Sequence, residues 1–119
     1  MTTYNGFNFK YGRTEIRAKT PTGDWLWPAT WMLSHANSYG NWPRSGEIDL
    51  MESKGNANLF NNQGQNTGAE EFGCTLHFGT ESYNSAYSTS NFWRRSAPGQ
   101  GWNKGFHSYK MEWAPSINN

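Results

Sequence analysis

A single cysteine, Cys74, is all that this chain of 119 residues contains. No internal disulfide can staple it, its redox compartment stays open, and metal sites built on Cys and His spacing have no support. Charge is scarce as well. Only 16% of residues are charged, the net charge is +1, and Arg94-Arg95 is the one adjacent basic pair, so nothing offers nucleic acid a basic stripe. No run of eighteen apolar residues occurs, which removes a helical membrane span, and the opening Met1-Thr2-Thr3-Tyr4-Asn5 carries no apolar signal region. A long apolar repeat with a 3.6-residue period is also missing. Without one, and without internal repeats or a linker, the chain reads as one all-β domain at most.

What is abundant points the same way. Seven Trp, six Tyr, seven Phe and 13 Gly, with a mean hydropathy of −0.92, suit a β-sandwich in which some aromatics fill the core and others lie at a surface where they can stack on sugars. The segment from Phe7 to Thr20 alternates as a half-buried strand: Tyr11, Arg13, Glu15 and Arg17 share one parity, Gly12, Thr14, Ile16 and Ala18 the other. Pro21-Thr22-Gly23-Asp24 reads as a turn. Trp25, Trp27, Trp31 and Leu33 then share one face of an extended stretch that Pro28 makes irregular.

The most informative stretch is Gly46-Glu47-Ile48-Asp49-Leu50-Met51-Glu52-Ser53, with three of the nine acidic residues inside six positions. On a helix these carboxylates would scatter around the barrel. On a strand Glu47 and Asp49 share a face, and Glu52 joins them only if one extra residue is absorbed, which a β-bulge at Leu50-Met51 would do. Three carboxylates on one face repel one another, so one of them is expected to hold a proton at neutral pH. One protonated and one ionised carboxyl is the equipment of glycoside hydrolysis. Calcium ligation and a merely solvated strand face are the competing readings, although the loop pattern D-x-[DN]-x-[DN]-G is absent.

The loop from His35 to Ser45 delivers the chain to the acidic residues, and within it Trp42 is the candidate for stacking on a sugar. Arg44 is the candidate for binding hydroxyls, with a solvated loop charge or a counter-ion as its ordinary alternative. Farther on, Cys74, Leu76 and Phe78 share one parity and Thr75, His77 and Gly79 the other; this predicts a strand that buries the thiol and turns His77 outward. The stretch from Ser82 to Gly105 offers no motif.

Gly46-Glu47-Ile48-Asp49-Leu50-Met51-Glu52 resembles the E-[I/L]-D-x-x-E signature of family 16 glycoside hydrolases, the laminarinase-like enzymes that cut β-1,3-glucans inside the chain. The likeness continues upstream in Tyr11 to Lys19 and Leu26 to Leu33, and downstream in Leu76-His77-Phe78-Gly79 and Phe106 to Trp113. Trp42-Pro43-Arg44-Ser45-Gly46 is most similar to the invertebrate branch of digestive glucanases and glucan-recognition proteins. The resemblance implies an antiparallel jelly-roll β-sandwich, concanavalin-like, in which residues 1–119 form part of a single catalytic domain. Because family domains are longer and this chain stops at Ala114-Pro115-Ser116-Ile117-Asn118-Asn119, a truncated fragment is expected.

For function the resemblance implies Glu47 as nucleophile, Asp49 as the residue that orients it and shares its proton, and Glu52 as acid and base. It also implies Trp27 and Trp31 as an aromatic wall, and His77 as an assisting residue near the acid/base carboxyl. The residues themselves do not rank the two glutamates. No cofactor and no metal is expected, and the partner is a β-1,3-glucan, met by a secreted monomer. A non-catalytic glucan-recognition protein, a calcium-dependent lectin, and a relative cutting a galactan or mixed-linkage glucan are the alternatives.

Overall fold

A computed structural model describes residues 1–115. Ser116 to Asn119, part of the chain end on which the expectation of a fragment rests, lie outside the described residues. Six strands follow in order: β1 (Gly12–Ala18), β2 (Ala29–Leu33), β3 (Glu47–Ser53), β4 (Glu71–His77), β5 (Asn91–Arg95) and β6 (His107–Trp113). Two short 3₁₀ turns, Ser82–Asn84 and Ala86–Thr89, lie between β4 and β5. All pairings are antiparallel: β2-β3-β4-β5 form one sheet, and β1 pairs with β6 in a second. This is the all-β, jelly-roll type of sandwich that the sequence led us to expect.

The first strand is shorter than its alternation suggested. Tyr11 sits at φ 65° and Gly12 at φ 144°, left-handed values that break the extended chain, so Phe7 to Lys10 stay outside the sheet. Across β1 and β6 the register sets Glu15 opposite Lys110, whose ammonium lies 3.1 Å from the carboxylate. The second strand also starts late, because Trp25 adopts φ 69° and the turn at Gly23 is tied to Gly55, Gly23 N–H donating to Gly55 O at 3.0 Å.

A small core lies where the two sheets meet. Leu50, Met51, Ala69 and Tyr109 are buried, and Phe72 packs edge-on against both Trp102 and Tyr109. Toward the other end of β4 the same face of the larger sheet is open. Leu76 is 47% exposed and Phe92 60% exposed, with Phe78 beside them. The expectation for β4 is therefore corrected: Thr75 is buried and His77 half-buried, Cys74 is only half-buried, and the apolar Leu76 and Phe78 face solvent. Hydrophobic parity reported which face belongs to an apolar layer, and β1 and β6 cover only part of that layer. Expressed as these 119 residues alone, the protein should bind a hydrophobic dye such as ANS strongly and melt with little cooperativity; a sharp melt without dye binding would show that this face is covered.

Candidate functional site

The larger sheet carries the acidic residues on its other face, and the register shows how. On β4, Thr75 pairs with Asp49 and Gly73 with Glu52, so Cys74 alone stands opposite both Leu50 and Met51. On β2, Trp31 pairs with Asp49 and Thr30 with Met51, so β3 holds one residue more than either neighbour. This is the bulge that the i, i+2, i+5 spacing requires, and both of its residues are buried. At the interruption the Leu50 carbonyl accepts the Cys74 thiol at 3.0 Å. Rows of paired residues thus cross the sheet in sequence: Leu33, Glu47 and His77; Trp31, Asp49, Thr75 and Asn91; Ala29, Glu52, Gly73 and Trp93.

Asp49 sits between the two glutamates and is nearly sealed, at 3% exposure. Burial raises its pKa to about 7, with the charges of Glu52 and then Glu47 adding to the shift, and hydrogen bonding to both carboxyls adding further. His77 Nε2 lies 3.1 Å from Asp49 Oδ2. That approach is a close contact and not a well-aimed hydrogen bond, since both Asp49 oxygens remain without a partner by donor geometry. A proton on Asp49, shared with a neighbouring glutamate, would satisfy these buried oxygens.

Trp42 was expected to stack on sugar. In the structure its indole N–H donates to Glu47 Oε2 at 2.6 Å, and its ring leans on His77 with centroids 5.6 Å apart. It therefore positions a carboxylate, whichever sugar its face meets. His77 lies opposite Glu47 in the register, touches Asp49 rather than Glu52, and stacks on Tyr87 at 5.7 Å. Arg44 turns away toward the segment after β4, where Nε donates to Thr80 O at 2.7 Å and Nη2 meets Glu81 at 2.5 Å. As placed, it clasps two loops together at a half-exposed surface and pairs with Glu81 instead of the acidic cluster.

Trp31 pairs directly with Asp49 and is 52% exposed; Trp27, 74% exposed, lines a small pocket with Glu52, Glu71 and Trp93. Trp93 is the residue that sequence reasoning passed over. It pairs with Gly73, and a Cβ there would fall 2.7 Å from the indole, so only glycine lets that ring lie over β4 beside Glu52. The signal was a glycine interrupting a strand, a common mark of close approach.

One atom each from Glu47, Asp49 and His77 can be chosen so that all three lie within 4.8 Å of one another. A cation could be held there, but two carboxylates with an imidazole suit a transition metal better than calcium, which takes an all-oxygen shell.

The family model described as glycosyl hydrolases family 16 matches residues 2–117. The chain is similar to a beta-1,3-glucan-binding protein of Penaeus monodon, with 42% identity over 118 residues, covering 95% of this chain and 29% of the relative. It is also similar to a glucan endo-1,3-beta-glucosidase of Cryptopygus antarcticus, at 34% identity over 91% of this chain and 35% of that protein. The crystal structure of the laminarinase catalytic domain from Thermotoga maritima superposes with a TM-score of 0.69 at 30% identity, covering 94% of this chain and 39% of that one. The chain thus spans about a third of the length of the relatives it matches.

Proposed function

The chain belongs to glycosyl hydrolase family 16, and from that premise we propose that the intact protein hydrolyses internal β-1,3 bonds of a glucan such as laminarin, with retention of configuration. The observation that carries this reading is the nearly sealed Asp49, raised to about 7 between two glutamates of which one receives the Trp42 N–H. Glu47, oriented by that donor, attacks the anomeric carbon as the glycosidic C–O bond breaks. Glu52 delivers its proton to the departing oxygen, then takes a proton from water as the water displaces Glu47. Asp49 exchanges a proton with both glutamates, and His77 contacts Asp49 from the neighbouring strand. Incubating the intact protein with laminarin, agarose and lichenan and counting reducing ends tests the substrate class; no release from any of them overturns the enzymatic reading.

Similarity to a glucan-binding protein favours a second reading, recognition without catalysis. The complete set of carboxylates argues against it, since a binding cleft has no use for a proton held between two glutamates.

Exposure supports Trp31 and Trp27 as sugar platforms. Trp31→Ala should weaken laminarin binding by about 1–3 kcal/mol, by analogy with base stacking, and leave the melting temperature nearly unchanged. A loss mainly in melting temperature would make Trp31 a packing residue.

A further inference from the structure

Away from the carboxylates, a cavity of about 330 Å³ opens among Asn58, Phe60, Gln65, Asn66, Glu70 and Arg95. Its size falls at the lower end of the roughly 300–1,000 Å³ typical of small-molecule sites. One wall is the hairpin around Phe60 and Asn66, which face each other in an isolated bridge. Its tip is fixed: Asn61 Oδ1 accepts the N–H groups of both Gln63 and Gln65 at 3.0 Å. The opposite wall is the turn after β5, where Gly99 N–H donates to Glu70 Oε1 at 2.6 Å and Ser96 N–H to Glu70 O at 2.9 Å. Walls held in this way lose little entropy when something binds between them.

The lining combines an aromatic face with free polar groups. Phe60 is exposed and can meet the apolar face of a pyranose. Among the described residues, the Asn58 amide, Gln65 Nε2 and the second Glu70 oxygen have no partner within the chain, leaving donors and acceptors for hydroxyls.

A row of side chains on β4 and β5 links this cavity to the carboxylates. Arg95 follows Trp93 by two residues on β5 and pairs with Glu71, which precedes Gly73 by two on β4. Its Nη2 lies 2.5 Å from Glu71 Oε2, an ion pair whose N–H is not well aimed at the oxygen. Glu71 and Trp93 in turn line the small pocket shared with Trp27 and Glu52.

We propose that this cavity is a distal carbohydrate subsite, holding a sugar unit of the glucan chain well beyond the bond that is cut. The inference rests on the glucanase reading, and the test separates the two. Binding is measured by calorimetry on intact Glu47→Gln protein, and kcat/KM on otherwise unaltered protein, with β-1,3-glucan oligosaccharides of increasing length. Phe60→Ala should lower the ratio of long-chain to short-chain kcat/KM about tenfold and weaken long-chain binding to match. Gln65→Ala should act in the same direction with a smaller effect. An unchanged ratio in both variants, or an equal loss on short and long chains, would overturn the distal subsite while leaving the glucanase reading intact. Failure of the Phe60-containing protein to bind or cut any glucan would overturn that reading, and this inference with it.

Discussion

Glu47→Gln in the intact protein should reduce turnover on every glucan by about a thousandfold or more, because in the proposed mechanism Glu47 supplies the carboxylate that forms the covalent sugar ester. Glu52→Gln should behave differently. A glycoside with a good leaving group needs little acid help in the first step, so the glycosyl-enzyme should accumulate, and an added small anion should speed its breakdown. NMR of the first-formed product reports the geometry directly: the β-anomer means retention and carboxyls about 5–5.5 Å apart, while the α-anomer means inversion, a wider gap and a water between them. An α-anomer would sink the assignment of Glu47 as nucleophile, and with it the role given to the Trp42 N–H.

Asp49→Asn should slow both chemical steps yet stabilise the fold near neutral pH. In the unfolded chain this carboxyl ionises near 3.8, whereas in the folded protein it holds its proton to about 7. Between these values the folded state binds the extra proton, so stability is greatest in acid, falls as pH rises through the window, and levels off above about 7. A shift of this size corresponds to about 2–4 kcal/mol once its coupling to the glutamates is discounted. The asparagine variant has no such ionisation to oppose, so its melting temperature should exceed that of the parent at pH 8 and approach it at pH 4. Equal pH dependence in the two proteins would mean that Asp49 is ionised in the native state.

The acidic strand was legible because its information is local. Parity alone demanded a bulge at Leu50-Met51, and the register contains it. The contacts made by Arg44 and Trp93 were not legible, for the opposite reason: Arg44 meets Glu81 across 37 positions, and Trp93 depends on Gly73 in a neighbouring strand, pairings that no periodicity reports. The second contact of Trp42 was hidden for a third reason. An indole has both a flat face and one N–H, and sequence cannot tell which of them the site uses. The strand with Leu76 and Phe78 showed the limit of hydrophobic parity, which identifies a face made for an apolar layer without saying how much of that layer is present.

The bulge also gives the site an unusual response to insertions and deletions. Removing one codon from most strands moves every later side chain to the wrong face, but removing Met51 would leave Leu50 opposite Cys74 and Glu52 still opposite Gly73. The three carboxylates would then follow one another at every second residue of an ordinary strand, in phase without any irregularity. The damage would be confined to a lost core side chain and a local loss of twist. A lineage carrying this chain can therefore cross by a single deletion between bulged and regular forms of the same acidic face, whereas a substitution at any of the three carboxylates offers no such route.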